Sequence, residues 1–238
     1  MFTLLLLSLL AAVPAGLPST DLGPTDFYDA TDAFLETNVV DGRLDYGALK
    51  DEPASLNALV DLIAETNWRE MEAGEQKAFL LNTYNVLAIA NVVRHYPTES
   101  PLKVKGFFDK ETFTVGGEEM TLDELEKGTI FKLFPDSRLH FALVCAAEGC
   151  PKLITDVYRP ATLDQQLADK TRASMSNPML VRVDGNTLLL SQLFDWYRAD
   201  FEEEAGSLVG YVNAYRAEPV PENAKVKLFE YDWTLNDR

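Results

Sequence analysis

"EQKAFLLNTYNVLAIANVVRHYP", Glu75 to Pro97, is the longest periodic stretch of the chain, and its reading decides the fold. Apolar side chains recur on nearly every helical face instead of one stripe, so a helix here is a buried one. Pro97 closes it. Asn82, Tyr84 and Asn85 interrupt the apolar run, and Asn82 and Asn85, three residues apart, share a face. Two amides inside a core need partners, or each costs about 1–3 kcal/mol. They either tie neighbouring loops to the helix or orient a ligand carbonyl or a catalytic imidazole. His95, in the last turn, is favourably placed for the helix dipole.

Outward from this helix, shorter elements alternate. Thr25 to Glu36 and Leu56 to Ile63 carry helical spacing. "ETFTVGGEEMT" turns at Gly116-Gly117 and predicts a hairpin; Thr121 and Glu124 then form a capping box that opens a helix to about Leu133. "RLHFALVC", short and apolar, predicts a strand. A second capping box, Thr162 to Gln165, opens a helix that stops before Asn177-Pro178. "LVRVDGNTLLLS" predicts a hairpin, Ser191 can cap a helix carrying "LFDWYRADF", and "KVKLFEYDW" predicts a last strand. Trp196, Tyr197 and Phe201 read as core or half-buried packing. With no regular βαβ rhythm, the expected architecture is α+β: a mostly helical single domain with a small, mainly antiparallel sheet and hairpins around a buried central helix.

The 238 residues are 47% hydrophobic and 25% charged, and Asp plus Glu outnumber Lys plus Arg by 38 to 21, a net charge of −17. So acidic a surface repels phosphate backbones and anionic lipid, which argues against nucleic-acid or membrane-surface partners. Phe2 to Ala12 is an apolar run of signal-peptide length, followed by Val13-Pro14-Ala15 where signal peptidase would cut. The expectation is export to the periplasm or outside, residues 1–15 being a signal peptide and 16–238 the domain. The alternative is an uncleaved anchor, since no Lys or Arg precedes the run.

"LHFALVCAAEGCPKL", Leu139 to Leu153, holds both cysteines and one of the two histidines. On a strand, His140 and Cys145 point to opposite faces and lie roughly 16 Å apart, so a direct thiol–imidazole pair needs a bend. Cys145 stands where the strand gives way to a loop, a common place for a nucleophile. The same thiol can be simple core packing, or it can pair with Cys150 across four residues if their Cα atoms close to about 4.4–6.8 Å. Two cysteines and two histidines argue against a zinc site, and no motif asks for a cofactor.

Five stretches in order, "KAFLLNTYNVLAIANVVRHYP", "FTVGGEEMTLDELEKG", "RLHFALVCAAEGCPKL", "VDGNTLLLSQLFDWYRADF" and "EYDWTLN", closely resemble the DUF547 family, domains of unknown function found in exported bacterial proteins and in plant leucine-zipper proteins. The resemblance spans about Gln76 to Asn236. It puts the family's Asn-x-Tyr-Asn on Asn82, Tyr84 and Asn85, its His-Phe-Ala-Leu-x-Cys on His140 to Cys145, and its Cys-Pro on Cys150 and Pro151. Members often carry Glu-His-Gly where this chain has Glu126-Lys127-Gly128. If that histidine were the family's base, this chain would lack it.

Two functions follow. In one, the protein is a thiol-dependent hydrolase or acyl transferase with Cys145 as nucleophile, His140 or His95 as base and Asn82 or Asn85 as orienter. In the other, it is a non-catalytic binding or scaffold module whose Cys145–Cys150 pair is structural. A redox role, in which the two cysteines cycle, is a third idea. The partner in either of the first two is a small molecule or peptide.

Overall fold

The computed structural model describes residues 24–238; the expected signal peptide lies outside them. Helices α1 (Pro24–Asn38), α2 (Tyr46–Asp51) and α3 (Ala54–Glu65) lead into α4 (Ala73–His95). Alpha4 is the central helix read from the sequence: it is buried on every side from Ala78 to Val92. The hairpin β1 (Thr112–Val115) and β2 (Glu118–Thr121) follows. After it comes α5, formed by π-type turns at Glu124–Ile130 and a last turn at Phe131–Leu133. The first capping box is present in both directions, Thr121 N–H to Glu124 Oε2 at 2.8 Å and Glu124 N–H to Thr121 Oγ1 at 3.2 Å.

The short α6 (Leu139–Ala142) and α7 (Leu163–Met175) precede a second hairpin, β3 (Val181–Asp184) and β4 (Thr187–Ser191). The chain then runs through α8 (Leu193–Trp196), α9 (Arg198–Ala205) and α10 (Leu208–Tyr215) to β5 (Lys225–Phe229). Beta5 pairs parallel with β4, so the second sheet, ordered β3-β4-β5, is mixed, while β1-β2 is antiparallel. The fold is α+β and mostly helical, as expected. Among the described residues no helix is long and apolar enough to cross a membrane.

Two expectations fail. The Thr162 side chain caps no backbone N–H of α7; its hydroxyl bonds Gln166 Oε1 instead, at 3.1 Å. More consequentially, "RLHFALVC" is not a strand: Asp136 and Ser137 start a turn that winds into α6, with Leu139 N–H on Asp136 O and Leu143 N–H on Leu139 O. The residues are buried on both sides, so their apolar run carries no period to separate strand from helix. Leu139, Ala142, Leu143 and Val144 face the apolar cluster around α4, whereas Phe141, Ala147 and Cys150 face the one around α8–α10. The segment is the seam between two cores. Its strand-derived 16 Å separation of His140 and Cys145 therefore does not apply.

Candidate active site at the seam

The amides of α4 hold this seam in place. Asn85 donates from Nδ2 to Ala142 O at 3.0 Å and accepts the Val144 N–H on Oδ1 at 2.9 Å. Asn82 does the same for Tyr158, donating to its carbonyl at 2.8 Å and accepting its N–H at 3.0 Å, and it also donates to Ala78 O. Both are spent on backbone. Asn91, which the sequence reading did not single out, donates to Phe107 O at 2.8 Å.

From Val144 the chain turns through Ala146, which takes a left-handed φ of 62°. The loop is pinned to a strap formed by Tyr231–Asn236: Glu148 N–H bonds Thr234 O, Gly149 N–H bonds Asp232 O, both at 2.8 Å, and Asn236 N–H bonds Ala146 O at 3.1 Å. At Gly149 a Cβ would stand 2.9 Å from Asp232 N and 3.0 Å from its O, so only glycine permits the approach. Cys145 and Cys150 are paired at disulfide range, with Cα atoms 6.2 Å apart. Closing so short a loop stabilises by only roughly 2 kcal/mol in the chain-entropy model, against about 4.7 kcal/mol for a 100-residue loop. With the strap already fixing the loop, the pair is a minor staple.

The paired sulfurs open onto a cavity of about 540 Å³ whose wall is largely aromatic: Tyr84, Phe108, Trp196, Tyr197, Tyr231 and Trp233. Trp196, Tyr231 and Trp233 pack against one another with ring centroids 4.8–5.8 Å apart. Trp196, 48% exposed, forms the rim. The reading of Trp196 and Tyr197 as packing residues missed that they line this space, while Phe201 is fully buried as read.

Glu126 sits in the wall, half-buried, and accepts two phenol hydrogens: Tyr84 on Oε2 at 3.0 Å and Tyr197 on Oε1 at 2.8 Å. Burial pushes its carboxyl above the usual carboxylate range, against the two phenols and Lys127, which pull it down. Lys127 Nζ is held by Asp123 at 2.7 Å, so that pair is close to neutral. Among the described residues no cation forms an ion pair with Glu126.

His140 also lines the cavity, its side chain only 2% exposed. Its Nε2–H donates to Asp200 Oδ2 at 2.7 Å, and its ring stacks on Tyr197 with centroids 3.8 Å apart. Because the acceptor is a carboxylate, neutral His140 carries its lone pair on Nδ1, which is buried and has no hydrogen-bond partner among the described residues. Burial lowers its pKa, with Asp200 opposing. His95 lies elsewhere, 3.7 Å from Glu111. Tyr231 donates its hydroxyl to Cys150 Sγ at 3.0 Å and lies 3.0 Å from Cys145 Sγ. Of the residues singled out from sequence, the fold thus brings Cys145, Cys150, His140 and Tyr84 to one cavity, and leaves Asn82 and Asn85 behind it as supports. Among the described residues no cluster of three His, Cys, Asp or Glu side chains forms a metal site.

Residues 68–173 match the family model DUF547, described as a protein of unknown function. No curated protein and no solved structure matches the chain. The matched segment contributes Glu126, His140 and both cysteines; the lining residues from Leu193 to Trp233 lie beyond it.

Proposed function

Starting from a chain that carries a DUF547 segment, we propose that it is a binding module whose ligand is a small molecule or peptide end with an apolar body and a cationic head. One observation carries the reading: a carboxyl with no cationic partner among the described residues, Glu126, set in an aromatic wall. Aromatic faces attract cations by about 0.5–2 kcal/mol each, more when water is excluded. A carboxylate withdrawn from water gains most from a charge brought into contact with it, and Lys127, which is paired with Asp123, makes no such contact. Lys127 also stands where the resembling family often carries His, which supports binding over base catalysis.

The test is tryptophan fluorescence, with Trp196 and Trp233 as reporters. Benzylammonium ions should quench or shift it saturably, benzyl alcohol should bind at least tenfold more weakly, and benzoate should not bind. Equal affinity for the alcohol would overturn the cationic head; no response to any of the three would overturn the cavity as a site.

A second reading is supported by Cys145 and His140 lining one cavity: a thiol-dependent hydrolase or acyl transferase. It requires Cys145 to be released from Cys150. Hydrolysis of an activated ester by the reduced protein, lost in Cys145→Ala, would favour it over pure binding.

A further inference from the structure

The two sulfurs are not equivalent. Both line the cavity, but Cys145 is half-buried whereas Cys150 is 6% exposed. Cys150 Sγ receives two hydrogen bonds, from the Cys145 N–H at 2.8 Å and from the Tyr231 hydroxyl at 3.0 Å. Among the described residues Cys145 Sγ has only the shared Tyr231 hydroxyl within hydrogen-bond distance. Burial raises the Tyr231 phenol well above its ordinary range, so it stays a donor at any working pH. Two N–H or O–H donors on one sulfur stabilise a thiolate, because hydrogen bonds to an ionised acceptor are roughly twice as strong as neutral ones. The loop itself is held by backbone bonds to the strap and does not depend on the sulfur pair for its path.

We infer that Cys145 and Cys150 are a thiol–disulfide exchange centre, opened by a small thiol that enters the aromatic cavity. The thiolate of that reductant attacks Cys145 Sγ. The bond between the protein's sulfurs breaks, a mixed disulfide forms on Cys145, and Cys150 leaves as the thiolate, held by Cys145 N–H and Tyr231 O–H. A second thiolate attacks the outer sulfur of the mixed disulfide, releasing the oxidised small-molecule disulfide and the Cys145 thiolate. Two small thiols are oxidised and one protein disulfide is reduced. Attack goes to Cys145 because it is the more exposed of the two, and the better-stabilised sulfur departs, as exchange rates require. The inference does not depend on which ligand the cavity binds.

Reduced glutathione is the probe. In the folded wild-type protein, checked by circular dichroism, it should open the pair without denaturant, as counted by alkylation and mass spectrometry. With oxidised glutathione, Cys150→Ser should collect a stable adduct on Cys145, and Cys145→Ser should react at Cys150 more slowly. Tyr231→Phe, which keeps the ring and removes one donor, should slow opening by about tenfold. Thiols that appear only in denaturant, faster adduct formation at Cys150 than at Cys145, or an unchanged rate in folded Tyr231→Phe would each overturn the assignment. If Tyr231→Phe fails to fold, the site of the adduct in the two cysteine variants still decides it. Binding of benzylammonium, followed on the same samples, separates failure of the exchange centre from failure of the cavity as a binding site.

Discussion

The amides of α4 and the titratable groups of the cavity are both polar and both withdrawn from bulk water, but they are used in opposite ways. Asn82 and Asn85 give oxygen and nitrogen alike to backbone partners and carry no charge at any pH. Glu126 and His140 are satisfied only in part: among the described residues Glu126 takes a phenol on each oxygen but forms no ion pair, and His140 Nδ1 has no hydrogen-bond partner. Saturated polar groups build a framework; partly unsatisfied, ionisable ones next to a cavity leave interaction free energy for a ligand.

The sharpest way to break this comparison is Asn82→Ala. It leaves the Tyr158 N–H and carbonyl without their partner, and urea unfolding should show a loss of about 2–4 kcal/mol, several hydrogen bonds at once. A loss below about 1 kcal/mol would mean that the amide is not structural. Gly149→Ala comes next. Its methyl would meet the Asp232 backbone, and forcing the loop from the strap should cost about 1–3 kcal/mol, with weaker benzylammonium binding because Tyr231 and Trp233 shift with it.

Glu126→Gln should behave the other way: folding stability at neutral pH equal to or above that of the wild type, and affinity for benzylammonium down by about tenfold. Loss of stability of the size expected for Asn82→Ala would place Glu126 with the framework instead. The smallest effect is a pH dependence of opposite signs. Glu126 has its folded-state pKa raised above 4.5, so the folded state holds the extra proton and stability falls as pH rises from there through the raised value. His140 has its folded-state pKa lowered below 6.5, so the unfolded state holds the extra proton and stability falls as pH drops below 6.5. Comparing wild type with Glu126→Gln across this range should remove the first trend and keep the second. Asp136, which burial would raise but Arg138 and Lys77 pull down to about 2, contributes a separate loss only below pH 3.8.

Where local chemistry decides structure, the sequence was readable. An all-round apolar helix has one plausible place, and α4 occupies it; the Thr121–Glu124 box and both hairpins are set by side chains within a few residues of one another. The seam at Leu139–Leu153 was not readable as a helix, because burial on both sides erases period. The cavity was hardest, since its walls come from segments far apart in the chain. Glu126 looked like one more acid on an acidic chain; only Tyr84 and Tyr197, 42 and 71 residues away, distinguish it. The Cys145–Cys150 pairing was open from spacing alone, and Tyr231 gave no local sign of its place over the sulfurs.

The strap has a kinetic consequence. Tyr231 reaches Cys145 across 86 residues, and Asn236 accepts the Tyr46 hydroxyl across 190. Contacts so distant must close long loops before they return any stabilisation, so they form late. The helix that supports the cavity assembles from local bonds, whereas the strap residues Tyr231 and Trp233 arrive at the end of folding. Pulse-labelled amide exchange should find α4 protected before Glu148 and Gly149, whose N–H groups wait for the strap. A folding chain therefore passes through a stage in which the sulfurs of Cys145 and Cys150 stand uncovered, and that interval is when they are most open to choosing a partner other than each other.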